Sequence, residues 1–194
     1  GLRMTEVPTT LSPDGRSRPP HLRSWRDGWR HLRFLLMYSP RWLFFYPGVL
    51  TLLVGLVASA ALLPGPLTLR GFTFDVDTLT YALGLVLIGA HITVFAVSAK
   101  VFGTQEGFLP PNPQFERLFK FITLETGLLF GCFLLLVGAG ILGYALYLWH
   151  AAGFGNMSPT HMLRLTLPSA TLFMLGVEAI FGSFFLSLLG LNRR

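Results

Sequence analysis

The sequence predicts an all-α integral membrane protein with four transmembrane helices, preceded by an amphipathic interfacial helix and by the last strand and turn of an α/β domain that lies outside the chain. Hydrophobic residues make up 52% of the 194 residues and charged residues only 12%, about half the charged share of a soluble domain. Four apolar stretches each reach the roughly 20 residues that a spanning helix needs. Eight of the fifteen lysines and arginines lie between Arg3 and Arg41, directly ahead of the first apolar stretch.

Residues 1–23 are interpreted as the C-terminal end of a truncated domain. Glu6-Val-Pro indicates a strand, and a strand without a sheet cannot satisfy its backbone groups, so the chain is expected to be a fragment. Asp14-Gly15 favours a tight turn, which would bring two guanidiniums and a hydroxyl together. These groups belong to Arg16, Ser17 and Arg18. Arginine binds phosphate bidentately, so the cluster suits a phosphomonoester or pyrophosphate, although basic turns are also common on soluble surfaces.

Residues 24–39 are predicted to form the amphipathic helix, which Ser24 and Asp27 begin and Pro40 ends. Its apolar stripe has helical spacing and consists of Trp25, Trp29, Leu32 and Leu36, and the adjoining basic face consists of Arg26, Arg30 and Arg33. Tryptophan side chains prefer the level of the lipid headgroups. The apolar part of an arginine side chain can lie along apolar surface while its guanidinium contacts lipid phosphate, so the helix is expected to lie in the membrane interface. Two interpretations stay open: anchoring at anionic membrane lipids alone, or an added role in binding substrate.

Residues 40–194 are predicted to form the transmembrane domain, with spans at about 43–63, 79–101, 121–149 and 163–191. Thirteen basic residues fall on one side of these spans, against only Arg70 and Arg164 on the other. The positive-inside rule then predicts a multi-pass protein of the plasma membrane with both termini in the cytoplasm. The outer loop before residue 78 indicates a short turn with some strand content, and the one near residue 155 a flexible glycine-rich loop.

Ionisable side chains inside a membrane are costly, and the sequence places His91 in the second span and Glu178 in the fourth. Structural hydrogen bonding between helices and a substrate or lipid path are both open for them. Several glycines of the third span indicate close helix packing: Gly127, Gly131, Gly138, Gly140 and Gly143. The single cysteine, Cys132, allows no disulfide framework. No His/Cys cluster is present, so no metal site is predicted in this chain.

The segment from Glu6-Val-Pro through Asp14-Gly-Arg-Ser-Arg to Trp25-Arg-Asp-Gly-Trp resembles the C-terminal third of family 2 polyprenyl-phosphate glycosyltransferases, the relatives of dolichol-phosphate mannose synthase. The resemblance is specific over residues 6–42 and extends to the rest by span count and by Leu118-Phe-Lys ahead of Thr123-Leu-Glu. It implies transfer of a sugar from a nucleotide-diphosphosugar to polyprenyl phosphate at the cytoplasmic face.

The resemblance also implies roles for particular residues. Arg16, Ser17 and Arg18 would bind the acceptor phosphate, and the helix from Trp25 would guide the prenyl tail. Many relatives have lysine at the position of Arg18. A divalent cation (Mg or Mn) would be held by an Asp-rich motif of the catalytic domain, so this chain alone is not expected to be catalytic. Asp75-Val-Asp77 has the Asp-x-Asp form, but the predicted topology puts it on the outer side, where it is interpreted as a coincidence.

A different class of function stays open: a four-span lipid-linked-sugar flippase, or an accessory membrane subunit without catalysis. Such a protein would not need the strand at Glu6 or the basic turn at Arg16. The expected partners are polyprenyl phosphate and anionic membrane lipids, and association into a homo-oligomer stays open. The net charge of +6 is concentrated at the two ends and one loop, so nucleic acid is not expected as a partner.

Overall fold

The computed structural model describes residues 6–10, 23–107, 109 and 124–190. The chain divides into two compact units, residues 1–34 and 35–194. In the first unit, residues 6–10 have no regular secondary structure, because the described residues offer no neighbouring strand to share their backbone hydrogen bonds. Helix α1, Ser24–Tyr38, begins in this unit. The predicted turn at residues 16–18 and the first residues of the predicted third span, 121–123, lie outside the described residues.

The second unit is built from four helices that are long and apolar enough to cross a membrane, which confirms the predicted all-α membrane fold. The first span opens with a π-helical turn, Arg41–Phe45, and the spans otherwise consist of α2 (Tyr46–Leu62), α3 (Val76–Gln105), α4 (Leu124–Ala151) and α5 (Pro159–Gly190). The helix ends lie within a few residues of the predicted boundaries.

The π-helical turn has an identifiable cause in the sequence. Pro47 has no backbone N–H, and in an α-helix its ring would clash with the carbonyl of Leu43, four residues earlier. In the structure the N–H of Tyr46 donates to the carbonyl of Arg41, five residues back, and so widens this turn. The chain continues as a helix through the proline, and Arg41–Leu62 forms one uninterrupted span.

A two-stranded hairpin joins α2 to α3, and this end of the bundle is called the hairpin end below. Strand β1 (Leu67–Leu69) pairs antiparallel with β2 (Phe72–Phe74). The two turn residues, Arg70 and Gly71, both have positive φ, 51° and 85°, as a type I′ hairpin turn requires. The predicted short turn with strand content is therefore this hairpin.

The four spans form two closely packed pairs, α2 with α3 and α4 with α5, and α3 also packs on α5. Glycine allows the close approach within each pair. A Cβ on Gly89 of α3 would lie 2.3 Å from the backbone nitrogen of Leu52 in α2, and one on Gly131 of α4 would lie 2.7 Å from the carbonyl oxygen of Gly176 in α5. Between α4 and α5, the buried Ser169 hydroxyl also donates to the carbonyl oxygen of Gly138 over 2.8 Å.

Candidate functional site

Helix α1 carries the residues that the sequence predicts to lie in the membrane interface. The backbone N–H of Arg23 donates to the Asp27 carboxylate over 3.0 Å, and the N–H of Asp27 donates to the carbonyl of Arg23 over 2.9 Å. These reciprocal bonds satisfy groups that a helix start otherwise leaves open, and the helix begins at Ser24. Asp27 pairs with Arg23 and not with the predicted Ser24.

The side chains of α1 that were predicted to meet lipid are open to their surroundings. Trp25 is 89% exposed and Trp29 is also exposed. The basic residues of the adjoining face, Arg26, Arg30 and Arg33, are exposed as well. Arg26 has an ion-pair contact to Asp27, with its Nε 3.8 Å from Oδ1, but exposed pairs of this kind contribute little to stability. The helix therefore presents indole rings and guanidiniums that are available to a ligand or a membrane surface.

His91 and Glu178, which were singled out separately in the sequence, contact each other in the structure. Nδ1 of His91 lies 3.0 Å from Oε1 of Glu178. His91 is the sixteenth of the 30 residues of α3, which puts it roughly 22 Å from either end at 1.5 Å per residue. The pair therefore lies near the middle of the length of α3. The His91 side chain is 80% exposed, whereas that of Glu178 is 19% exposed.

The pair lines a lateral cleft of about 690 Å³ between α3 and α5. Most of the lining is apolar and aromatic: Val94, Phe95, Phe173, Met174, Val177, Phe181 and Phe185. Ser98 also lines the cleft, and its buried hydroxyl has no hydrogen-bond partner in the described part of the chain. The volume of the cleft is in the range of small-molecule binding sites, and its few polar groups are concentrated at His91 and Glu178.

Arg164 forms a polar cluster at the hairpin end that the sequence analysis missed. Its guanidinium donates to the carboxylate of Asp75 and to the carbonyl of Leu62, and Nη1 lies 3.4 Å from the carbonyl of Leu63. Arg164 therefore joins α5 to the end of α2 and to the start of α3. Its position inside a predicted span was a usable signal, because a charge there requires a partner.

This cluster also bears on the Asp-x-Asp pattern at residues 75–77. The carboxylate of Asp75 is bound by the guanidinium of Arg164, and Asp77 is exposed in the first turn of α3. Within the described ranges, no group of three or more His, Cys, Asp or Glu side chains could hold a metal ion.

Comparison with known proteins identifies the membrane part of the chain. Residues 97–190, from the end of α3 through α5, match the glycosyltransferase family 2 C-terminal transmembrane region. Over 190 residues the chain is 30% identical to the low-salt glycan biosynthesis hexosyltransferase Agl6 of Haloferax volcanii, and the match covers 97% of this chain and 44% of that protein. The chain thus spans less than half the length of this curated relative. No solved structure matches the chain. The family match and this relative together support a membrane portion of the glycosyltransferase family 2 type, with the C-terminal transmembrane region at residues 97–190.

Proposed function

We propose that the chain is the membrane and lipid-acceptor-binding portion of a glycosyltransferase that moves a sugar from a nucleotide-diphosphosugar to polyprenyl phosphate. One observation carries the proposal. Helix α1 presents exposed tryptophans beside exposed arginines and ends at Tyr38, three residues before the first span begins at Arg41. A helix with this composition, so close to a span, is suited to hold a lipid headgroup at the membrane surface.

The chemistry of the acceptor distinguishes it from ordinary membrane lipids. A phosphomonoester carries about 1.5 to 2 negative charges near neutral pH, whereas the phosphodiester of phosphatidylglycerol carries one. Arg16, Ser17 and Arg18 would bind this phosphate through bidentate guanidinium contacts and a hydroxyl. Trp25 and Trp29 would lie against the first isoprene units of the tail.

The division of labour with the rest of the enzyme follows from the comparison. Agl6 is more than twice as long as the segment that matches it, which supports a separate catalytic domain for the donor sugar. That domain would also hold the divalent cation (Mg or Mn), since the Asp75 carboxylate is already bound by Arg164. In this proposal both termini are cytoplasmic, so that α1 faces the compartment that supplies nucleotide sugars.

Binding of the acceptor can be measured without catalysis. The chain would be placed in phosphatidylcholine nanodiscs that contain either polyprenyl phosphate or phosphatidylglycerol at equal mole fraction, and bound lipid would be counted by native mass spectrometry. We expect preferential retention of polyprenyl phosphate, and we expect Arg16→Gln with Arg18→Gln to reduce that preference at least tenfold. Arg193→Gln with Arg194→Gln removes the same charge from the other end of the chain and serves as the matched control.

Two results would contradict the proposal. Equal retention of the two lipids would mean that the basic residues of α1 and of the turn attract anionic lipids in general, by about 1 kcal/mol per basic residue, without selecting polyprenyl phosphate. An equal loss in both double variants would have the same meaning. In the complete polypeptide that carries this chain, sugar transfer to polyprenyl phosphate separates the proposal from a flippase or accessory subunit, which would move or bind the lipid without transferring a sugar.

A further inference from the structure

The pair of His91 and Glu178 uses only half of its hydrogen-bonding capacity. The contact joins Nδ1 to Oε1, and among the described residues neither Nε2 of His91 nor Oε2 of Glu178 has a partner. The imidazole is mostly exposed, so its second nitrogen faces out of the bundle at the depth of the hydrocarbon core. No bulk water is present there to satisfy a polar group, which makes an unpaired nitrogen and oxygen costly.

Whatever covers this face must therefore bring a hydrogen-bond donor and an acceptor to the middle of the membrane. The polar groups of a membrane lipid lie at the interface, roughly 15 Å away for a core about 30 Å thick, and its hydrocarbon tails have neither donor nor acceptor. A second copy of this chain in the same orientation carries the same two groups at the same depth. We propose that a second copy docks on the cleft between α3 and α5, with the two-fold axis along the membrane normal.

The two unused atoms are complementary to each other across such an axis. The imidazole of each copy can bond its own glutamate through Nδ1 and the glutamate of the other copy through Nε2, and each Glu178 side chain has a second oxygen for the imidazole of the other copy. Two copies then close a ring of four alternating side chains in which every polar atom is satisfied. A two-fold interface requires this property, because the same surface patch must complement itself.

The apolar surroundings of the pair fit the same arrangement. Met174, Val177 and Phe181 are exposed along the α5 side of the cleft, and Phe95 is exposed on the α3 side. These side chains form a rim around a concave surface, so a phenylalanine of one copy can enter the cleft of the other. In a bilayer, helix association depends on such packing and on interhelical hydrogen bonds. The proposal does not depend on the acceptor function, since it concerns association alone.

Cysteine crosslinking in bilayers tests the interface directly. In a Cys132→Ser background, which removes the chain's single cysteine, we would introduce either Phe181→Cys on the cleft rim or Leu136→Cys on α4. These positions are matched in exposure, at 69% and 73%, but Leu136 does not line the cleft. With a short bifunctional thiol reagent, we expect dimer from Phe181→Cys to persist on tenfold dilution with lipid and to exceed that from Leu136→Cys at least tenfold.

A second variant tests the polar ring. His91→Leu removes both bonds between the copies, and each is worth roughly a threefold change in association constant at the average measured in bilayers, so the constant should fall about tenfold. Circular dichroism would establish that this variant keeps its helices, and single-molecule photobleaching of the unsubstituted chain measures association without any change at the cleft. Monomers at every lipid dilution, or equal crosslinking through both cysteines, would overturn the proposal. A monomer whose rim cysteine is shielded by bound lipid would also overturn it and would assign the cleft to lipid.

Discussion

Replacing Gly89 with alanine should disrupt the closest approach between α2 and α3. The added Cβ would lie 2.3 Å from the backbone nitrogen of Leu52, 2.6 Å from its Cα and 2.8 Å from the carbonyl oxygen of Gly48. All three neighbours are backbone atoms of α2, so no side chain can rotate away to relieve the overlap. Ordinary contacts of a Cβ begin near 3.4 Å, so the two helices must separate locally by about 1 Å.

The cost of this separation can be set against the usual range for overpacking. Inserting a methyl group into a packed interior typically costs 1–3 kcal/mol, and a gap of 0.5–1 Å forfeits a quarter to a half of the dispersion energy of the atoms on either side. Because the obstacle is backbone, we expect the free energy of unfolding to fall by about 3 kcal/mol, at the upper end of that range.

The matched control for this change is Gly84→Ala, in the same helix. A Cβ on Gly84 meets nothing within 4 Å, so the gain in helix propensity, up to about 1 kcal/mol, should be retained. Both variants would be unfolded reversibly in mixed micelles with increasing sodium dodecyl sulfate, and helicity would be followed by circular dichroism. If Gly89→Ala is as stable as Gly84→Ala, the α2–α3 approach described here is wrong.

Three further changes test other parts of the structure. Arg164→Gln should lower the free energy of unfolding by about 2 kcal/mol in the same assay, because the partly exposed Asp75 and the carbonyl of Leu62 lose a charged donor, whereas Arg70→Gln on the exposed hairpin should change it by less than about 0.5 kcal/mol. Gly28→Ala should make the free energy of forming helix α1 more favourable by up to about 1 kcal/mol, because a Cβ there meets nothing within 4 Å. Circular dichroism of a peptide covering the helix should then show more helix, and no gain would contradict the helical structure of α1. Arg70→Asn should stabilise the hairpin by a few tenths of a kcal/mol, since asparagine tolerates positive φ better than arginine does, and an unchanged or lower unfolding midpoint would contradict the type I′ turn.

The spans could be predicted from sequence because length and apolarity are local properties. About 20 consecutive apolar residues suffice to identify a span, and no knowledge of its neighbours is required. The position where α1 starts was predictable for a similar reason, since its cap is local, although Asp27 pairs with Arg23 and not with the predicted Ser24. The hairpin was only partly visible, because its turn uses Arg70 at a position where asparagine is the stronger signal.

Contacts between helices could not be predicted in the same way. His91 and Glu178 were each singled out for the cost of placing them in a membrane, but nothing local indicates that they pair across 87 positions. The third span offered five glycines as packing sites, and the structure separates them. Gly127, Gly131 and Gly138 lie against α5, whereas a Cβ on Gly140 or Gly143 would meet nothing within 4 Å. Which glycine faces a neighbour depends on helix rotation, and a sequence with glycines on several faces does not determine it.

The two polar contacts between α3 and α5 together fix how these helices are aligned. Asp75 binds Arg164 at the hairpin end, and His91 contacts Glu178 sixteen residues later on α3 and fourteen residues later on α5. At 1.5 Å per residue these spacings are about 24 Å and 21 Å, equal to within less than one helical turn. Both contacts can therefore form at once only in one register, since a slip of one turn, about 5.4 Å, breaks both. Apolar faces alone would tolerate such a slip. The polar residues therefore specify the register in which α3 packs on α5, and this register determines the shape of the cleft between them.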